Sequence, residues 1–139
     1  MNGAVLDHIG IAVGANSRLA EALQLLGLRI AGTEYVEREK VDTDWISLPQ
    51  EAAHIELLRA TDPSSVIAKF LDSHKRDGIH HLCFRVEDIL VTSEKLKAAG
   101  FPLIYSEPKS GAHHCLVNFL HPKNTGGVLL EISQPGKSA

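Results

Sequence analysis

The sequence predicts an α+β fold made of two copies of a βαβββ module. Residues 8–13 (HIGIAV) resemble residues 81–86 (HLCFRV), which begin 73 positions later in the chain. The same spacing separates Gly27 from Gly100, and each glycine stands where a helix-like segment ends, a position that favours a left-handed residue. In both halves the hydrophobic period changes from that of a strand to that of a helix. Several landmarks in one register indicate a duplicated module.

The first module is predicted to span about residues 5–59. A strand over Leu6–Val13 precedes a helix that Asn16 or Ser17 caps and that ends at Leu26. Three strands follow, over residues 29–35, 44–48 and 53–59. A helix over about residues 64–74 is predicted to link this module to the next one.

The second module is predicted to span about residues 79–133, so that residues 1–139 form one domain. Its opening strand starts at Ile79, and a helix capped by Asp88 or Thr92 ends at Gly100. Three more strands are predicted over residues 103–106, 114–120 and 128–133.

The composition excludes several classes of protein. Hydrophobic residues make up 44% of the chain and charged residues 22%, which is typical of a folded globular domain. The net charge of -3 argues against nucleic-acid or anionic-membrane partners. No apolar run approaches the roughly 20 residues of a membrane span, and residues 1–5 lack a signal-peptide pattern. Two cysteines, Cys83 and Cys115, do not make a disulfide framework. We therefore expect a cytoplasmic protein.

Strand alternation places one histidine and one carboxylate of each module on a shared sheet face. His8 and His81 alternate with the apolar residues of the two opening strands, so they lie on the opposite face. Glu56 and Glu131 alternate in the same way with apolar residues of the two closing strands. A carboxylate inside a hydrophobic strand is costly to bury unless it is paired or binds a metal. We expect these four side chains to converge.

Two imidazoles and two carboxylates suit one divalent ion per chain, such as Co, Ni, Mn, Zn or Fe, with positions open to substrate. Taken singly, each residue also fits a structural role. His8 and His81 would then be hydrogen-bonded strand residues, and Glu56 and Glu131 would face solvent. The repeat favours the metal site because the same pair of residue types occurs in both modules.

Several segments resemble a known family. Residues 6–13 (LDHIGIAV) are similar to the opening strand of the vicinal-oxygen-chelate (glyoxalase/bleomycin-resistance) superfamily. Within that superfamily, the methylmalonyl-CoA epimerases resemble this chain at residues 67–71 (IAKFL), 78–86 (GIHHLCFRV), 119–123 (FLHPK) and 126–131 (GGVLLE). The resemblance implies a cupped mixed sheet with helices on its outer face, and a homodimer. It also implies a metal ion held by His8, Glu56, His81 and Glu131.

The chain departs from the epimerase pattern in two stretches. Residues 38–41 read REKV where Glu-Gln-Gly-Val is frequent in the family, and residues 111–114 read GAHH where Gly-Ala-His-Gly is usual. Both stretches lie where contacts with the acyl group or the coenzyme are expected. They therefore bear on the substrate and not on the metal ligands.

The resemblance implies the interconversion of (2R)- and (2S)-methylmalonyl-CoA through a metal-stabilised enolate formed by proton removal at C2. Inversion requires a proton donor on the opposite face of C2, so two catalytic groups are expected. Glu131 is the first choice for one base. Asp44 is the choice for the other, since it begins the strand before Glu56 with a parity that suits the same face, and Glu56 is the alternative.

Other activities of the superfamily remain open at this point. A glyoxalase I-like lactoylglutathione lyase uses the same ligands on a glutathione hemithioacetal. Metal-free proteins of the superfamily that bind small molecules usually lack the histidine and glutamate ligands, all four of which this chain has. An extradiol-type dioxygenase needs only two histidines and one carboxylate, so Glu56 argues against it.

Three further histidines are close to these residues in the sequence or in the expected loops. His80 is expected to point away from the His81 face, whereas His54 shares the face of Glu56 and is a candidate neighbour of the metal ligands. His113 is a candidate substrate contact.

Overall fold

The computed structural model describes residues 3–136 of the chain. Its elements, in chain order, are β1 (Val5–Ala12), α1 (Leu19–Leu25), β2 (Ile30–Val36), β3 (Val41–Ile46), β4 (His54–Ala60), α2 (Val66–His74), β5 (Gly78–Arg85), α3 (Ile89–Ala98), β6 (Lys109–Ser110), β7 (Leu116–Leu120) and β8 (Leu130–Gln134). Two compact units make up the chain: an N-terminal unit of residues 8–80, and a C-terminal unit of the described residues 3–7 and 81–136.

The N-terminal unit contains a mixed four-stranded sheet. Its strand order is β2-β3-β4-β1, with β1 parallel to β4 and the other two pairs antiparallel. Gly10 lies beside Glu56 in the parallel pair, and Trp45 lies beside Glu56 in the antiparallel pair. This register places Gly10, Glu56 and Trp45 side by side on one face of the sheet.

Helices cover both faces of this sheet. Leu19 and Leu23 of α1 pack against a core that includes Ile46 and Leu57, the face opposite Glu56. The helix expected to link the modules, α2, instead packs inside the N-terminal unit. Its Ile67 contacts the core on the Glu56 face, which consists of Ala12, Val41 and Leu58. α1 therefore agrees with the expected outer position, and α2 covers part of the face that carries His8 and Glu56.

The C-terminal unit repeats the same strand pairing. β5 is parallel to β8, β8 is antiparallel to β7, and β7 is antiparallel to the short edge strand β6. Ile89 and Leu96 of α3 pack with Leu120 and Ile132 of the sheet. Asp88 caps this helix, because its Oδ1 accepts hydrogen bonds from the backbone N–H groups of Leu90 and Val91.

The predicted duplication is visible in the elements themselves. β1 and β5 begin and end at positions with the same 73-residue spacing that relates His8 to His81. Gly27 and Gly100 follow α1 and α3 with φ values of 87° and 90°. Both glycines therefore have the left-handed conformation predicted for the end of each helix.

Residues 103–106, predicted as a strand, form no continuous ladder. Leu103 makes an isolated bridge to Leu120. At Tyr105 the side chain of Asn118, and not a neighbouring strand, bonds the backbone N–H and carbonyl groups. Its Oδ1 accepts from the Tyr105 N–H at 3.1 Å, and its Nδ2 donates to the Tyr105 carbonyl at 3.0 Å. A side chain thus satisfies these two backbone groups, and residues 104–107 bend instead of continuing as a strand.

Within the described part of the chain, none of the helices combines the length and the hydrophobicity that a bilayer-spanning segment requires.

Candidate active site

The N-terminal unit pairs His8 with Glu56. His8 is on β1, and Glu56 is on the neighbouring strand β4 beside Gly10. Nδ1 of His8 lies 3.2 Å from Oε2 of Glu56, and the two residues are only 7% and 5% exposed. The pairing agrees with the face predicted for both residues.

His54 is a second imidazole at the same carboxylate. Its Nε2 lies 2.7 Å from Oε2 of Glu56, the oxygen that also contacts His8. The His54 ring stacks on the Trp45 ring with centroids 3.9 Å apart and planes 24° from parallel. Ligand atoms of His8, His54 and Glu56 lie within 4.8 Å of one another, so this unit holds a compact donor cluster.

The C-terminal unit pairs His81 with Glu131. β5 and β8 are parallel neighbours, and their register sets Cys83 beside Glu131. Nε2 of His81 lies 3.2 Å from Oε1 of Glu131, and each residue is 7% exposed. The rings of Phe119 and His81 meet edge to face at a centroid distance of 6.1 Å, so an apolar residue borders the pair.

The two pairs are built in the same way. In each unit the histidine lies two residues before the position that neighbours the glutamate, which is Gly10 in β1 and Cys83 in β5. Both pairs therefore follow from one strand arrangement used twice. The sequence repeat predicted the two histidines as equivalent, and the strand registers extend that equivalence to the glutamates.

The residues of these pairs fit a divalent ion. Each glutamate is buried in an apolar sheet, where an isolated carboxylate is costly. A nitrogen and an oxygen 3.2 Å apart have the separation expected of two atoms bound to one ion at about 2.0–2.2 Å each. Imidazole with carboxylate is a donor set for Zn, Fe, Co, Ni or Mn rather than for Ca or Mg alone.

Asp44 does not lie on the face predicted for it. In the β3–β4 register Asp44 is beside Leu57, whereas Trp45 is beside Glu56. Alternation along β3 therefore turns Asp44 to the opposite face, and the prediction that it shares the Glu56 face is wrong. β3 begins at Val41, earlier than the predicted start at residue 44.

Asp44 instead forms an ion pair on that opposite face. Arg59 donates two hydrogen bonds to its carboxylate, at 2.8 and 3.0 Å, and the Thr33 hydroxyl donates a third at 2.7 Å. Burial raises the pKa of Asp44, but the hydrogen bonds and the charge of Arg59 outweigh burial, so the pKa lies below its ordinary value. Its neighbours thus account for this carboxylate without a substrate.

The other predicted residues are placed as follows. His80 alternates with His81 on β5, and its ring meets the Phe70 ring edge to face at a centroid distance of 5.2 Å. His113 is exposed in the turn Ala112–His114 with a positive φ of 56°.

The sequence analysis did not identify Trp45 as a neighbour of the donor cluster formed by His8, His54 and Glu56. Its placement depends on the register between β3 and β4, and a slip of one residue would turn every side chain of β3 to the other face. A lone tryptophan in a short hydrophobic segment carried no further signal. His54 was identified as sharing the Glu56 face, and the structure places it there.

Comparison with known proteins identifies relatives over nearly the whole chain. The model of the glyoxalase/bleomycin resistance protein/dioxygenase superfamily matches residues 7–119. A curated protein of Cereibacter sphaeroides, named ethylmalonyl-CoA/methylmalonyl-CoA epimerase, is 40% identical over 131 residues, which cover 93% of this chain and 96% of that protein.

Solved structures agree with this similarity. The crystal structure of methylmalonyl-CoA epimerase from Mycobacterium tuberculosis matches with a TM-score of 0.89 and 36% identity, covering 95% of this chain and 88% of that one. A methylmalonyl-CoA epimerase in complex with methylmalonyl-CoA and NH4+ matches with a TM-score of 0.86 and 27% identity, covering 97% and 96%. The glyoxalase-like α+β fold predicted from the sequence is confirmed.

Proposed function

Because this chain belongs to the glyoxalase/bleomycin resistance protein/dioxygenase superfamily, we propose that it is an isomerase that interconverts (2R)- and (2S)-methylmalonyl-CoA. The observation that carries the proposal is the 40% identity to an acyl-CoA epimerase along 93% of the chain. That relative is named for both ethylmalonyl-CoA and methylmalonyl-CoA, so both acyl-CoA thioesters are candidate substrates.

We further propose that His8, Glu56, His81 and Glu131 hold one divalent ion per chain. Support comes from the buried His–Glu pair in each unit and from the matching strand registers that build the pairs. When bound, the ion would supply electrostatic stabilisation for the negative charge that develops on the thioester oxygen. Co, Ni, Mn, Zn and Fe all suit this donor set.

Glu131 is the group that we assign to proton removal at C2. The C2 proton lies between a thioester and a carboxylate, and its loss gives the enolate of the substrate. Glu131 is 7% exposed, so little bulk water reaches its carboxylate. A positioned general base of this kind contributes about a hundred- to ten-thousand-fold to the rate.

Return of the proton to the opposite face of C2 needs a second group. Asp44 no longer suits this role, because it faces away from Glu56 and is paired with Arg59. We therefore assign the second proton transfer to Glu56, the alternative that the sequence offered. Glu56 shares a sheet face with His8 and has no intervening side chain on its parallel neighbour, where Gly10 stands.

The experiment that tests the proposal follows the C2 proton in heavy water. Purified protein is stripped with a chelator, reloaded with one metal at a time and given (2R)- or (2S)-methylmalonyl-CoA. We expect deuterium to enter C2 while the two stereoisomers interconvert, and we expect chelated protein to do neither. Turnover of the methylglyoxal–glutathione hemithioacetal without exchange in methylmalonyl-CoA would reject the epimerase and favour a glyoxalase I-like lyase.

Assembly and location are also part of the proposal. We expect a homodimer, which the family resemblance implies, and a cytoplasmic location, which the sequence composition favours. Sedimentation equilibrium of the purified chain tests the first expectation. Fractionation of the source cells with detection by antibody tests the second.

A further inference from the structure

We propose that His54, held in place by Trp45, is a positioning residue that fixes the carboxylate of Glu56 for metal binding. The proposal rests on the function given above, since it concerns a ligand of the same metal site. His54 is not one of the four proposed metal ligands.

The short contact between His54 and Glu56 carries the argument. At 2.7 Å, the Nε2–Oε2 distance is at the short end for an N–H···O hydrogen bond, as expected when the acceptor is an ionised carboxylate. The bond requires Nε2 of His54 to carry a proton. The His54 side chain is 12% exposed and that of Glu56 is 6% exposed, so water offers little competition.

Trp45 fixes the orientation of the His54 ring. The two rings stack at a centroid distance of 3.9 Å, with planes 24° apart. Such stacking favours this orientation of the imidazole. The His54 ring is thus in contact with Trp45 of β3 and with the carboxylate of Glu56 on β4.

Both imidazoles contact the same oxygen of Glu56. Nδ1 of His8 lies 3.2 Å from Oε2, and Nε2 of His54 lies 2.7 Å from it. His54 therefore holds the carboxylate of Glu56 beside Nδ1 of His8, the other proposed ligand in this unit. A free glutamate side chain turns about its terminal bond, and the hydrogen bond removes that freedom before the ion arrives.

Hydrogen-bond partners of metal ligands typically affect metal affinity by about 10- to 100-fold. We expect His54→Ala to weaken Zn²⁺ and Co²⁺ binding by about this factor. His54→Gln keeps a side-chain N–H donor and should recover most of the affinity. Trp45→Phe keeps an aromatic ring and should bind like wild type, whereas Trp45→Leu should fall between wild type and His54→Ala.

The test titrates Zn²⁺ and Co²⁺ into chelator-stripped, full-length protein by calorimetry, and records the visible spectrum of the Co²⁺ form. The matched control is His74→Ala, which removes an exposed imidazole at the end of α2 in the same unit. Thermal unfolding of each metal-free variant is measured alongside. A positioning role predicts weaker binding and an altered Co²⁺ spectrum for His54→Ala, measured well below its metal-free unfolding midpoint so that the protein is folded.

Two results would overturn the proposal. One is a His54→Ala protein that binds both ions within twofold of wild type, with an unchanged Co²⁺ spectrum. The other is a His54→Gln protein that folds yet binds metal as weakly as His54→Ala. Epimerase activity of wild type is measured separately, so an inactive wild type that still shows the His54 effect would reject the proposed function and keep this inference.

Discussion

Nε2 of His81 lies 3.2 Å from Oε1 of Glu131, and the two side chains come from neighbouring parallel strands, β5 and β8. The N-terminal unit holds His8 and Glu56 at the same distance, with the same strand relationship. A buried carboxylate is stabilised in each case by an imidazole from the adjacent strand. The duplicated module has thus produced the same pair twice.

Substitution of His81 should lower the metal content of the protein, whereas substitution of its neighbour His80 should not. His81→Ala removes a proposed ligand and should lose most of the one ion per chain proposed for wild type, because a site that loses an imidazole donor holds such an ion more weakly. His80→Ala is the matched control, since the His80 ring contacts Phe70 and His80 is not a proposed ligand. Metal content is measured after dialysis; equal metal in the two variants would contradict the assignment of faces on β5.

Asp44→Asn should leave catalysis nearly intact. The carboxylate faces away from Glu56 and is paired with Arg59, so it makes no contact with the His8–Glu56 pair. We expect inversion of methylmalonyl-CoA and metal content close to wild type. A loss of inversion with metal retained would return Asp44 to the mechanism despite its position in the sheet.

The same variant should be less stable, in a pH-dependent way. Loss of charged hydrogen bonds from Arg59 should lower the free energy of unfolding by about 1–2 kcal/mol, the lower part of the usual range because Arg59 is partly exposed. The folded-state pKa of Asp44 lies below its unfolded value, so its stabilisation is complete above about pH 4 and is lost as pH falls through the folded pKa.

Urea unfolding of wild type and Asp44→Asn at several pH values checks this expectation. The difference in the free energy of unfolding should be constant from pH 7 to pH 5 and should shrink below about pH 4. A difference that grows on acidification would contradict the cause given for the lowered pKa.

Asn118→Ala should release the segment that follows α3. Asn118 is 1% exposed, and its side chain bonds both backbone polar groups of Tyr105 and the N–H of Phe119. Leaving buried partners unsatisfied costs about 1–3 kcal/mol each, so we expect a loss of at least this size in the free energy of unfolding. Amide hydrogen exchange should also speed up at Tyr105, whereas Asn124→Ala, an exposed control, should change neither measurement.

Gly100→Ala should destabilise the protein through its backbone alone. Its φ is 90°, and a Cβ added there meets no heavy atom within 4 Å, so the cost is that of a left-handed non-glycine residue, about 1–2 kcal/mol. Gly100→Asn should cost less, because asparagine tolerates this conformation better. Gly3→Ala is the control, with equal space and no positive φ, and thermal unfolding measures all three.

The sequence by itself determined the features that depend on short periods. The period of two along β1 and β5 assigned His8 and His81 to one kind of face, and the same alternation assigned Glu56 and Glu131. The sequence also predicted the left-handed conformation of Gly27 and Gly100, because the end of a helix imposes that conformation locally.

Only the tertiary structure decided which strands lie beside one another and in which register. Asp44 and Trp45 are adjacent in the chain, and the β3–β4 register alone determines that Trp45 shares the face of Glu56. The same holds for the stack of Trp45 on His54 and for the Asn118 bonds that replace a strand at Tyr105. Register depends on packing summed over a whole sheet, and a slip of one residue reverses every face, so alternation within a strand could not supply it.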